Sequence, residues 1–308
     1  MADDTRPQPP DGGWGYSPPV PGAPPGHTPG PIPGQPPDWG APPPTRPRRL
    51  PVRPSPVFGG LVAAFVASGV LCAKGVGDPR VWVFAFVVLG WVISLCLHEF
   101  AHAAVAWYAG DPTGEARGYL TLNPARYINS TTSIVLPILI VMIGGIALPG
   151  GAVMVDRRYV RSRHMRSWIA AAGPLTNLTC AVLCALPLAT GILHFGDIFD
   201  VNGAHNAFPA ALAFLTLLEI IATILNALPI PGFDGFGVIM PYLPNETVRQ
   251  LMPISRFAWF GLFILLFASA TANSAFFGFC DHALSLLGVN HELGDYGQAL
   301  FTFWRKLQ

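Results

Sequence analysis

The sequence predicts an all-α polytopic membrane protein of about five to six transmembrane helices, with one re-entrant segment and a disordered proline-rich N-terminal tail. Three observations carry that prediction. The 308 residues are 51% hydrophobic and only 11% charged, about half the usual charged fraction. Several apolar runs, most of them long enough to cross a bilayer, follow residue 56, and spans of that length in lipid are helices because every backbone N–H and C=O must be satisfied within the segment. More than half of the 33 prolines fall before that point, in a segment too poor in apolar residues to bury a core. The net charge of +1 gives no argument for a nucleic acid or a strongly acidic partner.

In chain order, residues 1–55 mix proline with glycine, glutamine, aspartate and the isolated aromatics Trp14, Tyr16 and Trp39. They read as a tether that is partly polyproline II. A polar, proline-rich start excludes a cleavable signal peptide. Arg46, Arg48, Arg49 and Arg53 close the tail just before the first apolar run, which places it in the cytoplasm by the positive-inside tendency. That run covers 57–73. The second, 81–109, stops at Gly110-Asp111-Pro112. Residues 113–130 are polar and read as loop or short strands. The third run, 131–148, is interrupted by Pro137 and Gly144-Gly145. A loop dense in arginine follows, with Arg157, Arg158, Arg161, Arg163 and Arg166. The fourth run is 168–193, and the loop 194–206 carries no Lys or Arg. The fifth, 208–228, leads into Pro229-Ile230-Pro231-Gly232-Phe233-Asp234-Gly235, and the sixth covers 257–279. Three domains result: the tail 1–55, a membrane-embedded domain 56–280, and a C-terminal segment 281–308 that can form an amphipathic helix. The five cysteines form no CxxC pair. Cys180 and Cys184, one helical turn apart, read as small packing residues, and no disulfide framework is implied.

The second run contains His98-Glu99-Phe100-Ala101-His102. Four residues advance a helix by a little over one turn, so the two imidazoles share a face and can grip one metal ion. Glu99 projects beside that face, placed to act as a base on a water held there. Two histidines and a carboxylate near the end of a membrane helix are costly there without a purpose. A catalytic zinc needs a third donor, and two residues at membrane depth offer one. Asp234 follows a proline-glycine break where the helix unwinds, and Glu219 lies mid-span in the fifth run, two turns before Asn226.

His98-Glu99-Phe100-Ala101-His102, Leu122-Asn123-Pro124, Gly173-Pro174-Leu175-Thr176-Asn177 and Asn226-Ala227-Leu228-Pro229-Ile230-Pro231-Gly232-Phe233-Asp234-Gly235 occur in that order. In these motifs, over about residues 80–240, the chain resembles the site-2 protease family of intramembrane zinc metalloproteases, in a short form without a PDZ domain. The resemblance implies one zinc ion per chain held by His98, His102 and Asp234, with Glu99 as the general base. It also implies that Asn177 and Asn226 support the substrate or the transition state, and it leaves Glu219 as a gate or accessory residue. Many members carry Asp-Gly-Gly where this chain has Asp234-Gly235-Phe236. The function implied is hydrolysis of peptide bonds in or near the transmembrane segments of membrane proteins. Substrates weakened by Gly, Pro or Asn near the cut are expected, because a helix must unwind to expose a carbonyl. The partners are such substrates and the lipid bilayer, and what binds the tail is not legible. A transporter or channel with broken helices and a structural metal site is the alternative.

If every run crossed the membrane, Asp234 would face the side opposite the histidines, and the arginine-dense loop would lie outside. Both conflicts vanish if 131–148 enters and leaves on one side, as re-entrant backbone can where protein covers it. The expectation is therefore a multi-pass cell-membrane protein with a cytoplasmic N-terminus and an active site towards the cytoplasm.

Overall fold

The computed structural model describes residues 50–127, 159–160, 162–193 and 206–304. Expectations that fall on the tail up to residue 49, on the run 131–148 with Pro137 and Gly144-Gly145, on Arg157, Arg158 and Arg161, and on 194–205 lie outside the described residues.

Among the described residues the protein is all-α, without a strand. The apolar runs become helices, and the first two start at a capping side chain followed by proline. In α1 (Pro56–Ala73) the Ser55 side chain accepts from the Phe58 amide, and in α2 (Pro79–Tyr108) the Asp78 carboxylate accepts from the Arg80 amide. The polar stretch after α2 forms short helices, α3 (Thr113–Ala116) and α4 (Pro124–Tyr127), instead of strands. Asp111 and Asn123 side chains accept from the amides of Thr113 and Ala125 at 2.8 and 3.1 Å, local bonds that favour a helical turn over a ladder. Burial pushes the Tyr127 phenol above its ordinary range, so it stays a donor, to the Tyr119 carbonyl at 2.7 Å.

The fourth run is a longer helix than its apolar part suggests. α5 (Arg163–Ala189) begins within the arginine-dense loop, capped by Ser162, and continues through Pro174 and Pro187. α6 (Phe208–Ala227) is the central helix: 83% of its apolar window is buried, against 17% for α1 and 33% for α5. After the break come α7 (Asp234–Ile239) and α8 (Asn245–Leu251). The sixth run is not one straight span. It divides into α9 (Ser255–Ala268) and α10 (Ala270–Leu286), and the pair is bent by 100°. Ser269 sits in extended conformation there and caps α10 through the Ala272 amide. The C-terminal α11 (His291–Phe301) buries Leu293, Gly294, Gly297, Leu300 and Phe301 on one face. Among the described residues four helices (α1, α2, α5 and α6) are long and apolar enough to cross a membrane, or up to five spans with the bent pair as one. The protein is a polytopic membrane protein of the predicted class.

Helix direction can be followed from contacts. The chain before α1 pairs with the segment after α2: the Ser55 amide donates to the Thr121 carbonyl at 2.8 Å. Val160 packs with Ala106 of α2 and Ile169 of α5. The end of α2 and the start of α5 therefore lie at the same end of the bundle, together with Tyr127. At the opposite end, Phe86 near the start of α2 meets Phe208 at the start of α6, 5.3 Å between ring centroids, and Phe301 of α11 packs on Phe84 and Phe214. α1 and α5 thus run away from the first end, and α2 and α6 return to it. Segment 128–158 is outside the described residues, but its two flanks share one end. This is the arrangement needed to bring the end of α6 back to the histidines.

Candidate metal centre

Two stripes of every fourth residue meet at this end. On α2 they are Ser94, His98 and His102; on α5 they are Ile169, Gly173 and Asn177. Residues at that spacing line one side of a helix, and the two stripes run antiparallel. The His102 Nδ1 faces the Ile169 carbonyl at 2.6 Å, and the His98 Nδ1 faces the Asn177 Oδ1 at 2.5 Å. Gly173 sits between them. A Cβ there would collide with Nε2 of both imidazoles and with Cε1 of His98, so only glycine allows α5 this close to the rings.

The break after α6 brings the third group in. Asp234 opens α7, which folds back on the end of α6 and the start of α5. A Cβ on Gly235 would strike the carbonyls of Ala227 and Leu228, and the Ser167 hydroxyl donates to the Val238 carbonyl at 2.7 Å. Where many relatives of the resembled family carry a second glycine, Phe236 is buried in the core, so this turn needs only the first.

The result is a triangle. Nε2 of His98 and Nε2 of His102 are 3.1 Å apart, and they lie 3.2 and 3.4 Å from the Asp234 Oδ2. A tetrahedral ion with bonds of about 2.0–2.1 Å holds neighbouring donors about 3.3 Å apart. The outer nitrogens decide what the inner ones can be. The Ile169 carbonyl and the Asn177 Oδ1 only accept, so both Nδ1 atoms carry protons and, in the neutral rings that bind a metal, both Nε2 atoms present lone pairs. Three electron-rich atoms then face one another, an arrangement satisfied by a cation. Among the described residues this is the one group of three such side chains with metal-holding geometry.

Other expected residues fall in different places. Glu99 is buried and close enough to His102, Cys96 and Tyr127 to act on them electrostatically. Asn177 turns its Nδ2 to the Ser94 Oγ at 3.1 Å and to the Glu219 Oε2 at 2.9 Å, and the Ser94 hydroxyl donates to that same carboxylate oxygen at 2.6 Å. Glu219 is therefore joined to the site through Asn177 and not placed as a donor in the triangle. Asn226 is buried in the last turn of α6 but shares no hydrogen bond with the three donors among the described residues. Sequence reasoning passed over Ser94, Gly173 as a notch, and the Ile169 carbonyl. The signal for Ser94 was its place four residues before His98; a backbone carbonyl leaves none.

No family model and no solved structure matches the chain. Curated relatives do. The protein named "Putative zinc metalloprotease Rip2" in Mycobacterium tuberculosis is 41% identical over 261 residues, covering 83% of this chain and 96% of the relative. The chain belongs to the site-2 protease family. The Rip2 of Mycolicibacterium smegmatis is 41% identical over 263 residues, 84% of this chain and 97% of the relative. "Putative zinc metalloprotease YwhC" of Bacillus subtilis is 28% identical over 186 residues, 60% of this chain and 80% of the relative. The site-2 protease membership and the apolar helices agree on the broad class, a metalloprotease of the membrane.

Proposed function

We propose that this chain is an intramembrane endopeptidase that hydrolyses peptide bonds in or near the transmembrane segments of membrane proteins, with one zinc ion held by His98, His102 and Asp234. The observation that carries this reading is the triangle of donor atoms, whose edges of 3.1, 3.2 and 3.4 Å suit a tetrahedral ion and whose imidazoles each turn Nδ1 outward to an acceptor. Two imidazoles and one carboxylate, with the fourth position open, are a donor set typical of catalytic zinc. Bound there, zinc supplies Lewis acidity, making a water more acidic and polarising a carbonyl.

The rest is done by the chain itself. Glu99 takes a proton from the attacking water and returns it to the departing amine nitrogen. Its burial beside the histidines keeps competing water away and strengthens that exchange. Asn177 orients His98, and Ile169 orients His102. Asn226, at the end of α6, supports the substrate. Substrates rich in Gly, Pro or Asn near the cut are favoured, because a helix must unwind to expose its carbonyls.

The charge distribution supports a cytoplasmic site in the cell membrane. Arg53, Arg117, Arg126, Arg163, Arg166 and Arg249 gather at the metal end, against Lys74 and Arg80 at the other, among the described residues. In a cysteine-free background, an impermeant thiol reagent on intact cells should reach Lys74→Cys and not Glu246→Cys; the reverse pattern would invert the orientation.

The deciding experiment pairs metal analysis with cleavage of a membrane substrate. Glu99→Gln should retain about one zinc per chain while cleavage falls by about two to four orders of magnitude. His98→Ala and Asp234→Ala should lose the zinc too. A Glu99→Gln protein that cuts at the wild-type rate would sink the hydrolase reading, and metal-independent flux would favour a transporter.

A further inference from the structure

We propose that Glu219 is a positioning residue for the metal site: it fixes which way the Asn177 amide faces, and through that amide which ring nitrogen of His98 carries the proton. The inference rests on the reading of His98, His102 and Asp234 as the zinc ligands.

The two histidines are oriented by unlike partners. The Nδ1 of His102 meets the Ile169 carbonyl, a backbone group that cannot turn over. The Nδ1 of His98 meets the Asn177 side-chain amide, which can present either its oxygen or its NH2 group. Turned by half a rotation, Asn177 would donate to His98 Nδ1, the proton would move to Nε2, and the lone pair aimed at His102 and Asp234 would be lost. His98 is therefore a sound ligand only while a third group holds the amide.

Two residues touch the far side of that amide, Ser94 and Glu219. A hydroxyl both donates and accepts, so Ser94 accommodates either orientation. The Glu219 Oε2 already accepts from the Ser94 hydroxyl at 2.6 Å. It also accepts from the Asn177 Nδ2 at 2.9 Å, which sets the amide oxygen towards His98. This gives a purpose to a carboxyl that is 1% exposed in the middle of an otherwise apolar helix, where such a group is costly. Groups that orient a ligand histidine typically change metal affinity by about 10–100-fold when removed.

The test uses the full chain in detergent or nanodiscs, with zinc affinity read by competition against a chelator and unfolding followed on the metal-free protein. Glu219→Leu removes the acceptor and leaves an apolar helix of similar volume. It should lose about 10–100-fold in zinc affinity, while cooperative unfolding of the metal-free protein shows that the variant still folds. The double variant Asn177→Asp, Glu219→Leu should recover to within about threefold of wild type, because an aspartate offers an acceptor oxygen to His98 whichever way it turns. Ser94→Ala should also stay within about threefold, since the amide remains held by Glu219. Three outcomes overturn the proposal: wild-type affinity in Glu219→Leu, a double variant as weak as the single, or a Ser94→Ala loss as large as that of Glu219→Leu. A wild-type chain that binds no zinc defeats the ligand reading instead. Binding by wild type with no effect of Glu219→Leu defeats only this inference.

Discussion

The two ends of the bundle share α2 and α6 and are held by different means. At the metal end, α2, α5 and the turn after α6 meet through polar groups and two glycine contacts, and His98, His102 and Asn177 are each held by a hydrogen bond. At the other end α1, α2, α6 and α11 are closed by rings: Phe65 stacks on Phe86 at 4.4 Å, Phe86 meets Phe208, and Phe301 lies 5.1 Å from Phe84 and 5.3 Å from Phe214. Aromatic packing tolerates small shifts, whereas a donor triangle with edges of about 3.3 Å does not. The difference teaches that stability and chemistry are held by separate sets of residues, so they can be damaged separately.

The largest expected effect is at Gly173. Gly173→Ala must push α5 off the two imidazoles, and zinc affinity should fall by about 100-fold or more, comparable to losing a ligand-orienting group outright. Equilibrium chelator competition measures it, and full retention of zinc would mean that the helices part without cost. Gly235→Ala should fall next, by about 10–100-fold, because the added methyl displaces the turn that carries Asp234. Phe301→Ala tests the other end. It should lower stability by about 3 kcal/mol in reversible unfolding while zinc content and cleavage at low temperature stay at wild-type levels. Equal loss of zinc in that variant would erase the distinction between the ends. The smallest effect is expected for Tyr127→Phe, about 1 kcal/mol in stability from one lost hydrogen bond to the Tyr119 carbonyl, with zinc retained.

Much of this architecture could be read from the chain before its structure. The apolar runs 57–73 and 81–109 lie within two residues of α1 and α2 at each end, and the spacing of His98 and His102 needs only the helical period. Asp234 was harder: local chemistry left Glu219 in contention, and the family motifs were needed to prefer Asp234. The structure shows why the sequence was ambiguous, since both carboxylates are bonded into the same site, one in the triangle and one behind Asn177. The bend at Ser269 falls where Ser269, Thr271, Asn273 and Ser274 interrupt the apolar run, a signal passed over because no Pro or Gly stands there and the flanking apolar residues read as one span. The short helices of 113–127 were missed because a four-residue turn leaves no period, only the side-chain caps at Asp111 and Asn123. The Ile169 carbonyl could not have been found, since every residue has one.

The triangle joins residues far apart along the chain, and this gives it a history. During synthesis His98 and His102 enter the membrane early, and α5 can reach them while Asp234 is still to be made. At ordinary elongation rates that interval is on the order of ten seconds. Throughout it the nascent protein holds only a two-imidazole half-site, too few donors for a catalytic ion. The three-donor site is complete only when α6 has returned and the last donor swings in.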